Sequence, residues 1–240
     1  MNISLFLSVS AVLLGSSALH AAEKPLLAVA GKVLYENKFD SEQGVQWKSP
    51  KGAWEVAGGV LRGSEKPEDK HGAVTRLPDK LSDFVLEYEF KLEGARATSL
   101  SLNAAKGHLA RIAITPSSVA IQKDDMDHEG PDKGVVFARF AVDFQPGVWH
   151  KVRMEMVGDT LLGKVDDFVA WGAHEHFKQE RTAPGLTVGG QSVEFRNLKV
   201  SEASLNPAWP EVQATLPKPG EKMAPPPARS GGAKAPAAAQ

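Results

Sequence analysis

Hydrophobic and polar residues alternate along much of this chain, which is the pattern of a β-strand with one buried face. The clearest example runs from Phe84 to Leu92, where every second residue is large and apolar. A period of two over nine residues fits a strand and is hard to place on a helix. We therefore predict that Glu87 and Glu89 face outward, opposite a core-facing set: Phe84, Leu86, Tyr88, Phe90 and Leu92.

Two hairpins follow from the same pattern. Gly158-Asp159 separates the alternating segments Lys151 to Val157 and Thr160 to Val165. Glycine tolerates the positive φ that a two-residue hairpin turn requires, so this arrangement predicts a hairpin. Gly58-Gly59 has the same role after Trp54. Further strands are predicted at Val33–Tyr35, Gly72–Leu77, Ser99–Asn103, Ala110–Thr115, Val119–Gln122, Gly185–Gly189 and Val193–Val200.

The spacing of turn residues between these strands predicts the fold class. Turn residues recur at short intervals, and no segment before Asn206 shows a helical period over more than about ten residues, the ordinary helix length. Short strands separated in this way indicate an all-β sandwich. Residues 32–203 are predicted to form this single domain.

The ends of the chain differ in composition from the predicted domain. Residues 1–22 are apolar and finish in small residues, as a secretory signal peptide does, with an uncleaved N-terminal anchor as the alternative. Residues 23–31 are interpreted as a linker. Residues 204–240 are rich in Pro and Ala, which predicts a disordered tail. The chain contains no Cys, so export would bring no disulfide framework.

Charge excludes one class of partner. The 28 Lys and Arg residues nearly balance 29 Asp and Glu residues, so no overall positive field attracts nucleic acid. We expect an exported protein, periplasmic or extracellular, that is a monomer and has no membrane span once its leader is removed.

Several landmarks in chain order carry a family resemblance. The most specific are the hairpin Trp54-Glu55-Val56 with Gly59-Val60-Leu61, and the closing Phe195-Arg196-Asn197-Leu198-Lys199-Val200; Phe39-Asp40, Trp47 and Val148-Trp149-His150 accompany them. From Lys32 to Ser201 the chain resembles the 3-keto-disaccharide hydrolase-type domain family. The resemblance implies a concanavalin A-like jelly-roll β-sandwich and activity on glycosides as a 3-keto-glucoside hydrolase or lyase. We predict no cofactor, with Ca²⁺ as the alternative considered below.

The chain departs from the family pattern after the Phe84 strand. The family usually carries an Asn-Ser-Gly segment there, whereas this chain has Ala97-Thr98-Ser99. This difference favours a divergent member, or a non-catalytic module that binds glycan or protein. A structural module of the cell envelope is a third interpretation.

Glu87 and Glu89 are the predicted catalytic carboxylates. Two carboxylates one pleat apart can perturb each other's protonation, which acid–base chemistry on glycosides exploits. The alternative is an outer face whose charge is balanced by basic residues. If the resemblance extends to function, the pair should share a shallow groove with catalytic His176 and with four sugar-binding residues: Arg111, Asp166, Trp171 and His174. Glu89→Gln should then abolish turnover.

Two polar segments are candidate metal sites. His174 and His176 would share one face of an extended chain, and Asp166 or Asp167 could add an oxygen ligand. The acidic loop from Asp124 to Gly134 could bind Ca²⁺ through oxygen ligands, although it lacks the spacing of a known calcium loop. Each segment is otherwise a solvated loop, and we predict no metal site.

Tryptophans are the candidate stacking platforms for sugar rings. Most of them should be buried, because each covers a large apolar area. Trp171 precedes the polar segment Gly172 to Arg181 and is the predicted exception.

Overall fold

The computed structural model of the chain describes residues 24–40, 47–127 and 129–220. The predicted signal peptide and residues 221–240 of the predicted tail lie outside these ranges. Within them, fourteen strands form one continuous antiparallel sheet. In chain order they are β1 (Ala28–Asn37), β2 (Lys48–Lys51), β3 (Ala53–Ala57), β4 (Val60–Ser64), β5 (Ala73–Arg76), β6 (Lys80–Leu81), β7 (Phe84–Asn103), β8 (His108–Thr115), β9 (Ser118–Lys123), β10 (Val135–Ala141), β11 (Trp149–Val157), β12 (Thr160–Val165), β13 (Phe168–Ala173) and β14 (Arg181–Leu205).

The two longest strands fold this sheet into two layers. In layer one, the first half of β7 and the second half of β14 pair with each other, and the order is β13–β12–β11–β7–β14–β1. β4 also pairs with this half of β14, and β3 pairs with β4. In layer two the other halves of both strands continue, in the order β10–β9–β8–β7–β14–β5–β2. The change of layer coincides with Gly94 and Gly190, whose φ angles of 82° and 95° favour glycine.

One hydrophobic core lies between the layers. The predicted inward residues of β7, from Phe84 to Leu92, are at most 2% exposed, which confirms their assignment. Side chains from the two layers meet there: the ring of Phe140 in β10 lies 5.2 Å from that of Phe168 in β13. The all-β sandwich is therefore confirmed, and the structure joins several predicted short strands into the long β7 and β14.

A second, smaller cluster corrects the prediction for both ends of the domain. The predicted linker contributes Leu27 and the start of β1, while the predicted disordered tail continues β14 to Leu205 and then forms helix α1 (Trp209–Thr215). Trp209 is 7% exposed and packs with Leu27 and Leu162 on the outer side of layer one. The tail thus contains an ordered helix, because it can bury a tryptophan.

Asn206 connects the two terminal segments. Its side-chain amide donates to the carbonyl of Leu26 at 2.8 Å, and its backbone N–H donates to the carbonyl of Leu27 at 2.9 Å. Pro210 lies in the first turn of α1, where the missing N–H costs no helical hydrogen bond. No helix of the described residues is long and apolar enough to span a membrane.

Candidate functional site

The outer face of layer one carries Glu87 and Glu89, as the alternation predicted. Each carboxylate is held in a different ion pair. Glu87 accepts from Arg153 at 2.5 Å, and Arg153 also binds the fully buried Glu155. Glu89 accepts from Arg196 through two nitrogens, at 2.6 and 2.8 Å. The two carboxylates therefore serve separate cations on a surface balanced by basic residues, which was the alternative interpretation.

The same face continues as a network of paired charges. Glu194 lies 2.7 Å from Lys91 and 2.5 Å from Arg62. Burial raises the pKa of Glu194, but the hydrogen bonds and the positive charges of these two cations together lower it by more, so its pKa falls below the ordinary value. The guanidinium of Arg196 also lies 4.0 Å from the ring of Trp149. A sugar would have to displace this cation to stack on the covered side of that ring.

Arg111 lies on the opposite side of the sandwich from Glu87 and Glu89. It belongs to β8 in layer two, where Ala110 and Ile112 face the core and Arg111 between them faces outward. Its neighbours across the strands form one line of outward residues, which we call the arginine row. From β2 to β9 the row consists of Lys48, Arg76, Gly185, Ser101, Arg111 and Gln122.

The centre of the arginine row has small side chains. Ser101 and Gly185 are direct partners in the middle of it. In the next line of outward residues, Ser99 and Thr187 are paired, with their hydroxyl oxygens 2.6 Å apart. Ser99, Ser101 and Gly185 are buried beneath this surface, and the long arginines on either side supply donors. Ser101 and Gly185 thus form a small polar floor in the middle of the row, and Arg76 and Arg111 lie on either side of it.

Asp124 completes the arginine row at its β8–β9 end. One carboxylate oxygen lies 3.1 Å from Nε of Arg111, and the other accepts from the side-chain amide of Gln122 at 2.7 Å. Sequence analysis placed this aspartate in a candidate calcium loop. In the structure its carboxylate instead contacts the guanidinium of Arg111 and the side-chain amide of Gln122. Among the described residues, no group of three or more His, Cys, Asp or Glu side chains is placed to hold a metal ion.

Arg76 is the second arginine of the row and is only partly accessible. Its side chain lies across Gly185: a Cβ there would come within 2.7 Å of Cγ of Arg76. Its guanidinium donates to the carbonyl of Ala183 at 2.9 Å. Burial lowers the pKa of Arg76, and the charge of Arg111 lowers it further, while Asp124 raises it. The two arginines therefore act on each other across the floor.

His174 and His176 lie at a different place, where the 3₁₀ helix Glu175–Lys178 begins. Their rings are 4.7 Å apart, and Nδ1 of His176 lies 3.3 Å from the Asp132 carboxylate. Asp132 also pairs with Lys123, which is fully buried. Burial lowers the pKa of His174, and the charges of His176 and Lys123 lower it further. The cluster anchors the loop that follows β9.

Asp166 and Trp171 have structural contacts. Asp166 lies in the turn between β12 and β13 and binds Nδ1 of His150 at 2.7 Å and the N–H of Lys151 at 2.9 Å. Trp171 packs edge-on against Trp209, with ring centroids 5.8 Å apart. The predicted exposed stacking platform is thus covered by α1.

The structure therefore does not assemble the groove predicted from the sequence. The two glutamates and Arg111 lie on opposite outer faces, and the other predicted residues lie at turns or under α1. Sequence reasoning missed Arg76, Ser101, Gly185 and Gln122. A signal for Ser101, Gly185 and Gln122 existed, because polar or small residues alternate with core residues on β7, β9 and β14.

The fold resembles those of several solved proteins. The carbohydrate-binding module CBM66 from Bacillus subtilis matches with a TM-score of 0.52 at 17% identity, over 65% of this chain and 96% of the module. The laminarinase from Rhodothermus marinus matches with a TM-score of 0.53 at 13% identity, over 74% of this chain and 99% of the enzyme. A protein of unknown function with a galectin-like fold from Bacillus subtilis matches with a TM-score of 0.58 at 10% identity, over 75% of this chain and 100% of that protein. At these identities the likeness shows the jelly-roll fold alone.

Among curated proteins no match is found. The model of one domain family does match, over residues 35–201, and that range contains both layers, the arginine row and the ion-paired face of layer one. This range agrees with the resemblance seen in the sequence landmarks. The chain belongs to the 3-keto-alpha-glucoside-1,2-lyase-like domain family.

Proposed function

We propose that this carbohydrate-directed protein binds its glycoside on the outer face of layer two, along the arginine row. The observation that supports this most directly is the pairing of Arg111 with Asp124 beside the Ser101–Gly185 floor. Sugars are recognised by many hydrogen bonds to hydroxyls, and this face offers donors and acceptors at close spacing. The outer face of layer one offers mainly charges that already bind each other.

The composition of the arginine row favours elimination over two-carboxylate hydrolysis. Glycoside hydrolysis normally uses a pair of carboxyl groups that flank the scissile bond. The row and its flank carry one carboxylate, Asp124, together with the guanidinium of Arg111. One base and one cation suit proton removal from a carbon beside a keto group, since the cation stabilises the enolate oxygen that develops.

The proposed reaction takes a 3-keto-glucoside through a 1,2-elimination. The Asp124 carboxylate accepts the proton from carbon 2, which the neighbouring keto group acidifies. The electron pair of that C–H bond becomes the double bond between carbons 1 and 2 as the bond from carbon 1 to the aglycone oxygen breaks. The aglycone leaves as an alkoxide and takes a proton from water, while Arg111 holds the oxygen on carbon 3. No oxidant or reductant is consumed.

The test compares Asp124→Asn with Glu89→Gln, a matched change of one carboxylate on each face. We expect the Asp124 variant to lose at least a hundredfold in kcat on a 3-keto-glucoside, which is within the range for removing a general base. We expect the Glu89 variant to keep its activity. Mass spectrometry should detect an unsaturated sugar. Wild-type activity in the Asp124 variant would contradict the assignment of the base.

A non-catalytic sugar-binding module is the second candidate. It is favoured by the engagement of both Asp124 oxygens, with Arg111 and with Gln122, which leaves this base less free to take a proton. Calorimetric binding of a glycoside by a wild-type protein that shows no turnover would establish this alternative. The binding site would still be the arginine row, so Arg111→Gln should weaken binding in either case.

Export to the periplasm or the extracellular space is part of the proposal, and it rests on the leader-like residues 1–22 and on the family. We also propose a monomer. N-terminal sequencing of the secreted protein should start just after Ala21 or Ala22, and light scattering should give the mass of one chain. Retention of the leader would instead indicate an anchored protein.

A further inference from the structure

The Arg76 end of the arginine row differs electrostatically from the rest of the molecular surface. Ion pairs within the part of the chain that is described neutralise most buried or half-buried arginines: Arg153, Arg181, Arg196 and Arg111 each have a carboxylate partner. Arg76 has none within 4.0 Å among those residues, and its guanidinium donates to the carbonyl of Ala183. A half-buried guanidinium without a counter-ion is costly, because burial removes part of its hydration.

The neighbours of Arg76 increase the positive charge. Lys48 lies beside it in the row, and Arg111 acts on it from the other side of the floor. Lys48 has no carboxylate partner within 4.0 Å among the described residues. Asp124 is the nearby carboxylate, and it is held by Arg111, so this end of the row has an excess of positive charge.

The backbone beside Arg76 holds the guanidinium in place. Ala183 has a φ of 45°, which is rare for a residue with a side chain and costs free energy. Its N–H donates to the carbonyl of Asp79 at 3.0 Å, and its own carbonyl accepts from Arg76. Gly185 then leaves space for the Arg76 side chain to lie over the floor. A strained residue that orients an uncompensated cation is typical of a binding site.

We propose that Arg76 and Lys48 form an anion subsite, which takes a carboxylate or sulfate group carried by the glycoside bound at Arg111 and Asp124. This inference rests on the proposed sugar site and adds the class of its ligand, an acidic glycoside. The planar guanidinium donates two parallel hydrogen bonds to such a group. Arg76 and Arg111 are three strands apart, about 14 Å between Cα atoms at ordinary strand spacing. A ligand that contacts both arginines must therefore extend across the two strands that separate them.

Calorimetry on the purified chain tests the subsite with three probes of equal size: a neutral disaccharide, its glucuronate-containing counterpart and its sulfated counterpart. We expect at least one acidic probe to bind at least tenfold more tightly than the neutral one in 50 mM salt. The preference should shrink as salt is raised, because screening weakens exposed charge interactions. The acidic probe that binds more tightly identifies the natural group as carboxylate or sulfate.

Arg76→Gln should remove the preference, because it should weaken binding of the acidic probe much more than binding of the neutral probe. Arg96→Gln is the matched control, since Arg96 is an exposed arginine paired with Glu65 away from the row. Arg76→Lys keeps the positive charge but cannot donate two parallel hydrogen bonds, so it should retain part of the preference. It replaces Arg76→Gln as the test if the Gln variant does not fold. Equal binding of all three probes by wild type would overturn the subsite alone. Failure to bind any sugar would overturn the proposed sugar site as well.

Discussion

The two outer faces of this sandwich carry similar residues in different electrostatic arrangements. On layer one, Glu87, Glu89 and Glu155 are all paired with arginines. On layer two, Arg76 has no carboxylate partner among the described residues, and Arg111 shares the one nearby carboxylate with Gln122. The first face is an internally compensated surface. The second has unused donors and a positive field.

This difference shows that the partners of a charged residue are more informative than its identity. Paired glutamates on a strand suggest acid–base chemistry when only the sequence is known. Once each glutamate binds its own arginine, its charge is already used for stability. A cation that lacks a partner in the free protein is the more useful indication of where a ligand binds.

The largest effect expected on layer one comes from Arg153→Met. Glu155 is fully buried and would lose its counter-charge, and Glu87 would lose its partner as well. Removal of one member of a buried ion pair typically costs about 3–5 kcal/mol. Urea denaturation should therefore show a drop of that size in the free energy of unfolding. A loss below about 1 kcal/mol would mean that layer one does not depend on this pair.

The pH dependence of stability provides an internal control for Arg153→Met. Burial raises the pKa of Glu155 in the folded protein, and Arg153 is the main influence that lowers it. Without Arg153 the folded-state pKa should rise further above the unfolded value. A raised carboxyl pKa means that the folded state binds the proton more tightly, so stability falls as pH rises. The deficit of Arg153→Met should thus be smaller near pH 5 than at pH 7.

A smaller loss is expected where α1 covers layer one. Trp209→Ala removes the tryptophan that packs on Trp171, Leu27 and Leu162. A buried Trp→Ala change costs about 3–5 kcal/mol in a main core, and we expect about 2–3 kcal/mol in this peripheral cluster. A chain that ends at Gly220 is the control and should unfold as the full chain does. An unchanged midpoint for Trp209→Ala would mean that α1 does not stabilise the domain.

The sequence predicted local strand structure well and long-range pairing poorly. Alternation identified the core face of β7, because neighbouring positions on a strand face opposite sides. It could not show that β7 and β14 each cross both layers, since this depends on pairing between distant segments. The disorder prediction for residues 204–240 weighed Pro and Ala content and overlooked Trp209, Val212 and Leu216, whose spacing of three and four residues suits a helix.

The candidate site illustrates the same limit. Arg111 was predicted to share a groove with Glu87 and Glu89 but lies on the opposite face, and its partner Asp124 was assigned to a loop with a different role. Arg76 lies 35 residues before Arg111 in the chain and reaches the same row only through two intervening strands. No local sequence pattern predicts that two residues so far apart in the chain lie in the same row. The ion-pair partners of Glu87 and Glu89 were equally inaccessible from sequence.

The smallest effect is expected from Glu89→Gln, and it decides between the faces. Glu89 is 20% exposed and binds Arg196, which keeps its contact with the Trp149 ring when the charge of Glu89 is removed. A partly exposed pair of this kind contributes about 0.2–1 kcal/mol, so the free energy of unfolding should fall by no more than that. Because Glu89 lies on the face opposite Arg111, kcat/KM for a 3-keto-glucoside should stay within twofold of wild type. Abolished turnover in Glu89→Gln with full activity in Asp124→Asn would move the chemistry to layer one. That pair of results would mean that the ion-paired face carries the activity and that the arginine row does not contribute to it.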